Sequence, residues 1–305
     1  MDSKASSTGD RPALGIILIL VATFLFIIQD TMTKSISTEY AVPLILMVRF
    51  WISMVYALVY MRIKGRSLKR CFESKRPVLQ LTRSAVLVLE IGVFVLAIRT
   101  LSLAEIHSLF ATYPLMITAL SVPLLGETVG IRRWLAVCIG FVGVLVILRP
   151  GLGVFDAGAV YALACAALFA LYQVLTRKVA KDDPSDTSFF YFMLVGFVTT
   201  SLIGPFYWEP IDADGWMTLL GIGLTSSFSH LLLILALQHA AASVLQPFNY
   251  MPLVWAVLVG YVVFGDLPDM WTIVGAAVIV GSGLYTFYRQ HVRKRKPAVV
   301  VTPRA

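Results

Sequence analysis

Four ionisable side chains stand inside long apolar stretches of the chain: Asp30, Arg49, Arg83 and Glu90. A charge at membrane depth is costly, so such residues pair with one another, relay protons or meet the polar part of a solute. Glu90 lies about midway along its stretch, far from either interface. It is the leading candidate for binding a proton or a substrate, with a structural ion pair as the alternative. Arg83 comes seven residues earlier on a similar helical face, about 10 Å away, and is expected to snorkel toward the nearer interface. Asp30 and Arg49 fall near the facing ends of neighbouring stretches, where they are expected to pair across a short connection or to line the site. The four charges sum to zero, which favours a neutral or zwitterionic substrate over a polyanion.

Uncharged groups extend this set of candidate substrate-binding residues. Gln29, Gln173, His230 and Asn249 are polar positions in apolar surroundings. For His230 a helix–helix hydrogen bond is the competing role. Phe110, Tyr113, Phe248 and Tyr250 flank two prolines and are placed to stack on a planar solute, with core packing as the alternative for each. Those prolines, Pro114 and Pro252, lack an N–H and are expected to kink their helices as hinges beside the site. His107 and Glu105 are expected to face the interface. Cys71, Cys138 and Cys165 have no metal-like spacing, and neither a metal nor a cofactor is expected.

The elements that must carry these residues follow from composition. Of 305 residues, 58% are hydrophobic and 14% charged, and the mean hydropathy is +0.83. A water-soluble body of this size has no room to hide so much apolar surface. Soluble enzymes, nucleic-acid-binding domains and disordered chains are excluded, and the lipid bilayer becomes the expected partner. A spanning helix needs about 20 apolar residues. Ten runs qualify: 13–33, 41–61, 78–98, 102–124, 132–149, 157–177, 187–207, 215–237, 242–264 and 270–289. They are longer than barrel strands and apolar all round, so the expected fold class is an all-α integral membrane protein with ten transmembrane helices. The first run is too long for a signal peptide and no small-x-small cleavage site follows it.

The net charge of +8 maps topology rather than a nucleic-acid partner. If alternate connections lie on one side, twenty of the 25 basic residues fall there, and the other side holds only Lys34, Arg99 and Arg149. This bias predicts cytoplasmic N- and C-termini in a cell inner membrane. The basic run Arg293–Lys296 is expected to anchor that topology.

An internal repeat emerges at an offset near 138. Ala104, Phe110, Pro114 and Leu115 match Ala242, Phe248, Pro252 and Leu253, and Gly126-Glu127 matches Gly265-Asp266. Ala22, Gln29 and Lys34 match Ala166, Gln173 and Lys178 at an offset of 144. The expected organisation is a segment 1–12, a first repeat 13–149, a second repeat 157–289 and a basic tail 290–305. Five spans per half force the two repeats into opposite orientations. Inverted repeats are a signature of secondary carriers, with the site between the halves near the midplane.

Several stretches resemble the EamA-type members of the drug/metabolite transporter superfamily. They are Arg49-Phe50, "AIRTLSLAE", "YPLMITALSVPLLGETVGIRRW", "GFVGVLVILRPG" and the echo "ALQHAAASVLQPFNYMPLVWAVLVGYVVFGD". The resemblance implies a ten-helix carrier of small organic solutes, with spans 1, 3, 4, 6, 8 and 9 around its cavity. It also implies a fold or gating role for Arg49. The pattern from Gln29 to Phe50 looks most like uptake subgroups for riboflavin and S-adenosylmethionine, and amino-acid exporters belong to the same superfamily. Riboflavin or a similar planar neutral compound is the first expectation; S-adenosylmethionine uptake and amino-acid or metabolite efflux are the alternatives. If transport is proton-coupled, Glu90 or Asp30 would carry the proton. An intramembrane enzyme is disfavoured: the chain has no Walker A loop and no His-Glu-x-x-His zinc motif.

Overall fold

The computed structural model describes residues 12–65, 72–126, 129–149, 157–240 and 242–291. Residues 1–11, the stretch 66–71 with Cys71, Glu127, the linker 150–156 and the tail with Arg293–Lys296 lie outside the described residues. The first six helices are α1 (Pro12–Ile36), α2 (Val42–Ile63), α3 (Pro77–Ile98), α4 (Leu103–Phe110), α5 (Tyr113–Leu125) and α6 (Ile131–Leu148). The next six are α7 (Ala157–Val179), α8 (Ser185–Ile203), α9 (Ala213–His239), α10 (Ala242–Leu245), α11 (Met251–Phe264) and α12 (Met270–His291). Two 3₁₀ turns, Gly204–Tyr207 and Gln246–Tyr250, complete the pattern, and no strand occurs among the described residues. Among the described residues, ten segments are long and apolar enough to cross a membrane. Outward-facing Val55, Leu89, Leu202 and Val262 are more than half exposed, which is the surface a lipid-facing bundle presents.

Helix ends are set by familiar chemistry. Proline occupies the first turn of α2 and α3, where its missing N–H costs nothing. The Asp212 carboxylate accepts from the Gly215 N–H and caps α9. Ser102 and Glu105 form a reciprocal capping box that fixes the start of α4 at Leu103.

The fourth and ninth runs differ from expectation: neither is a continuous helix kinked at its proline. Pro114 cannot supply an N–H to the Phe110 carbonyl, and its ring would strike that carbonyl. The chain therefore stops α4 at Phe110 and restarts as α5, with Pro114 in the new first turn. The Thr112 hydroxyl donates to the Leu109 carbonyl at 2.7 Å and covers part of the break. In the second half the 3₁₀ turn Gln246–Tyr250 holds Pro247, and Pro252 lies in the first turn of α11. Both breaks thus precede the prolines.

Packing pairs the halves. The most extensive contacts join α1 to α9, α6 to α12 and α3 to α7; α2 packs on α8 and α9, α8 on α3, α5 on α7, and α11 on α1. Exchanging α1–α6 with α7–α12 maps each of these pairings onto another or onto itself. Gly126 and Gly265, repeat mates by sequence, end α5 and α11 in the same left-handed conformation, with φ of 69° and 72°.

At the α6–α12 crossing the backbones of Gly143 and Gly275 meet. A Cβ at Gly143 would lie 2.8 Å from the Gly275 carbonyl oxygen, which cannot swing aside as a side chain can. Gly143→Val is expected to lower stability by about 1–3 kcal/mol, read as a fall in the thermal midpoint in detergent. Gly281, with open space around it, is the control: Gly281→Val should leave the midpoint in place.

Candidate functional site

Asp30, Arg49 and Glu90 converge between the halves and are all at most 8% exposed. They come from α1, α2 and α3. The Arg49 guanidinium acts electrostatically on both carboxylates, but its direct contact is different. Its Nη2 donates to the Ser226 hydroxyl of α9 at 2.9 Å. The expected Asp30–Arg49 pair is therefore not formed. Asp30 Oδ2 lies 3.2 Å from His107 Nε2 instead, and the Gln29 amide donates to Asp30 Oδ1 at 3.2 Å. The α4 capping box explains this partner: it starts the helix early enough to turn His107 inward rather than to the interface. His107 is 7% exposed.

Glu90 has no donor. No described residue hydrogen-bonds its carboxylate; the Cys165 thiol meets only its backbone oxygen, at 3.6 Å. Gln29 Oε1 is buried with no hydrogen-bond partner among the described residues. Native interiors satisfy nearly all buried polar groups, so a carboxylate without a described donor and an unpaired amide oxygen are each places where a ligand or water belongs.

An aromatic ladder runs past Glu90. His107 packs edge-on to Phe94 at 5.7 Å, and Phe94 edge-on to Phe110 at 6.0 Å; Phe110 meets Phe169 in a tilted contact at 5.2 Å, and Phe169 packs edge-on to Tyr113 at 5.0 Å and tilted on Tyr172 at 5.8 Å. The last rung, Tyr172, lies under the Arg83 guanidinium at 5.2 Å. Arg83, Glu90 and Phe94 are spaced by seven and four along α3, so one helical face carries all three. A second, shorter stack joins Phe26, His230, Phe192 and Phe50. His230 Nδ1 lies 2.8 Å from the Ser226 carbonyl, so that nitrogen carries the proton.

Arg83 is displaced from the expected role. It neither snorkels nor joins the central charges: at 1% exposure it is sealed in. It donates to Gln80 and to the hydroxyls of Tyr172 and Thr176 at 3.2–3.3 Å, and to the Ser188 carbonyl. The guanidinium fork suits four partners on three helices, and that use absorbs its donors. With Arg83 set apart, the formal charges of Asp30, Arg49 and Glu90 sum to −1 when all three are ionised and His107 is neutral. The charge argument for a neutral substrate no longer holds.

The other candidates scatter. Phe248 packs with Ile19, Ala236 and Leu245 away from the charges. The Tyr250 hydroxyl fills the space that Gly283 leaves on α12. Gln173 and Asn249 are half-buried, and no described residue hydrogen-bonds either amide. Phe94, Phe169, Tyr172, Phe192 and Ser226 were not singled out by sequence, because an aromatic or serine in an apolar run reads as packing.

Polar latches close both ends of the bundle. At the end carrying the basic connections, Asp183 accepts from Ser74, from the Lys75 N–H at 2.8 Å and from Gln80 at 3.0 Å, and Arg76 pairs with Asp182 at 2.6 Å. At the other end the Tyr40 hydroxyl donates to Asp212 at 3.0 Å, and the Ala41 N–H to Glu209 at 3.0 Å. Arg149 there pairs with Asp269. Burial opposes ionisation of Asp183, yet the bonds from Ser74, Gln80 and Lys75 outweigh it and hold the carboxyl below the ordinary aspartate range. A depressed pKa contributes stability above the unfolded value of about 3.9 and loses it as pH falls through the folded value. Asp183→Asn should therefore cost about 1–2 kcal/mol at neutral pH. In unfolding curves taken across pH, that gap should close in acid.

Comparison with known proteins places the chain. Residues 13–149 and again 156–288 match the EamA-like transporter family. The riboflavin transporter of Vibrio cholerae serotype O1 is 27% identical over 276 residues, covering 89% of this chain and 92% of that one. An S-adenosylmethionine uptake transporter of Rickettsia prowazekii is 25% identical over 278 residues, covering 90% and 93%. A pseudopaline exporter of Pseudomonas aeruginosa is 26% identical over 271 residues, covering 87% and 93%. A solved crystal structure superposes with a TM-score of 0.63 at 18% identity over 90% of this chain and 96% of that one, a likeness of fold.

Proposed function

This chain belongs to the EamA-like transporter family, a multi-pass membrane transporter, and we propose that it carries a planar heteroaromatic metabolite by alternating access. The observation behind this reading is the Glu90 carboxylate, to which no described residue donates, beside the aromatic ladder at the interface of the halves. Ring faces receive a flat solute, and a buried carboxylate without a donor takes an N–H, O–H or cationic group. Riboflavin, the solute named for one relative, is the first probe. We place the protein in an inner membrane with both termini cytoplasmic, on the strength of the basic-residue bias.

The two matching halves lie inverted in this reading, and each half opens one end. The broken spans α4–α5 and α10–α11 serve as its hinges, with Pro114 and Pro252 keeping the restarted helices from fusing to the segments before them. Gln29, Asp30, Arg49, Phe110, Tyr113 and His230 belong to the central site. Arg83, Phe248 and Tyr250 hold the scaffold around it.

A specific observation supports a second solute. The central charges sum to −1, which suits a solute of net charge +1. S-adenosylmethionine combines a planar adenine with such a charge. Purified protein in vesicles, given labelled riboflavin and labelled S-adenosylmethionine separately, tests both: accumulation of neither would sink this reading.

A further inference from the structure

The Asp30–His107 pair is an asymmetric feature of a duplicated scaffold. By the offset that matches Gln29 to Gln173, the counterpart of Asp30 is Val174; by the offset that matches Phe110 to Phe248, the counterpart of His107 is Leu245. Val174 and Leu245 are each 2% exposed. The same places in the second half are therefore filled by buried aliphatic side chains, and the architecture does not require a charge there. Replacing a buried ion pair by apolar groups is often neutral or stabilising. A pair kept in one half at that disadvantage does something other than hold the fold.

The position of the pair shows what. His107 sits on α4, the short helix that ends at the break before α5, and Asp30 sits on α1. The contact thus ties the movable half-span to a helix packed chiefly on the second half. The ionisable groups facing the pair are Arg49 from α2 and Glu90 from α3, both of which feel the Asp30 charge. Lys34 lies one turn along α1, held by the Leu101 carbonyl at 2.7 Å, and Glu105 on α4 is closed in its capping box. From α9 His230 feels the Arg49 charge, and from α7 Cys165 feels that of Glu90; the ionisable residue of the turn before α11 is Tyr250, that of α11 is Tyr261, and those of α12 are Tyr285, Tyr288, Arg289 and His291. With neutral His107 the cluster of Asp30, Arg49 and Glu90 has a charge of −1. One proton taken up by the pair makes it zero. Charge at membrane depth is costly, so the empty and neutralised sites favour different arrangements.

We propose that, within the central site, Asp30 and His107 form the proton-binding part that couples this carrier to a pH gradient, while Glu90 meets the solute. The proposal rests on the carrier reading above. The proton enters from the water on one side, is shared between the imidazole and the carboxylate, and leaves to the other side when α4 swings away from α1. A neutral solute would then travel with the proton, and a monocationic solute would replace it.

The test needs no solute. In the full chain in lipid nanodiscs, hydrogen exchange of segments 37–41 and 72–76, corrected for intrinsic rates, reports opening of the two ends. It is measured on either side of the histidine range, at about pH 5.5 and about pH 8. Linkage to one proton shifts the opening equilibrium by up to about tenfold per pH unit. Wild type should show this shift. Asp30→Asn and His107→Gln should abolish it, and His239→Gln should keep it. The double variant Asp30→Val with His107→Leu, which copies the second half, should fold with an unchanged or higher thermal midpoint and show no pH response. A wild type indifferent to pH, a response that survives in His107→Gln, or a double variant that fails to fold overturns the proposal. The vesicle assay with riboflavin and S-adenosylmethionine tests the solute reading separately, since its failure leaves the exchange result standing.

Discussion

Glu90→Gln should reduce transport of a cationic solute on the order of a hundredfold while leaving the protein folded. The glutamine amide has the shape of the carboxylate. Because no described residue donates to Glu90, the substitution breaks no internal hydrogen bond. What it removes is the charge available to the solute. Losing one partner of a buried charge pair costs about 2–5 kcal/mol, which spans the hundredfold loss expected here. A neutral flat solute depends on the rings of Phe94, Phe110 and Phe169, so its KM should rise by less than about tenfold, the worth of one lost hydrogen bond. Glu90→Asp keeps the charge but draws it back by one methylene, and its rates should fall between the two. Initial rates in vesicles for both probes read the difference. Unchanged rates for Glu90→Gln with every transported probe would remove Glu90 from the site.

Arg83→Met is the second large effect, and it falls on stability. The substitution strands the Tyr172 and Thr176 hydroxyls and the Ser188 carbonyl where water has little access. It also removes the cation from the Tyr172 ring. Breaking a buried charged network of this kind costs about 3–5 kcal/mol. A clear fall in the thermal midpoint is expected, with a smaller fall for Arg83→Lys, which keeps the charge but loses the planar fork. If Arg83 met the solute instead, Arg83→Met would slow transport at an unchanged midpoint.

The fold is legible in the sequence where one residue type has one physical meaning. Apolar runs of spanning length became ten segments, and two matching glycines became two left-handed caps, Gly126 and Gly265. It is less legible where meaning depends on a partner far along the chain. Proximity in sequence pairs Asp30 with Arg49, but its contact is His107, 77 residues away. The signal was present in Ser102 and Glu105: a capping box fixes the first turn of a helix, and with it the direction of a residue one turn on. Arg83 misled for the opposite reason. Periodicity places it on the face of Glu90, and only the arrival of Tyr172, Thr176 and Ser188 from two other helices shows that its donors are taken. Pro114 and Pro252 mark the fault in each span but not which side of it yields, so the sequence suggests kinks where the structure has breaks.

The cross-paired packing has a consequence for synthesis. A five-span fragment ending at α6 has almost none of its main partners, because α1 waits for α9, α3 for α7 and α6 for α12. During translation the first half enters the bilayer carrying Asp30, Arg49 and Glu90 with their neighbours from α9 still unmade, including the Ser226 hydroxyl that receives Arg49. Until the ribosome delivers the second half, those charges depend on water, lipid headgroups or an insertase. A nascent chain stalled after α6 should therefore be a target for membrane proteases. The two halves, alike as they are, cannot be made as separate domains that meet later without that exposure.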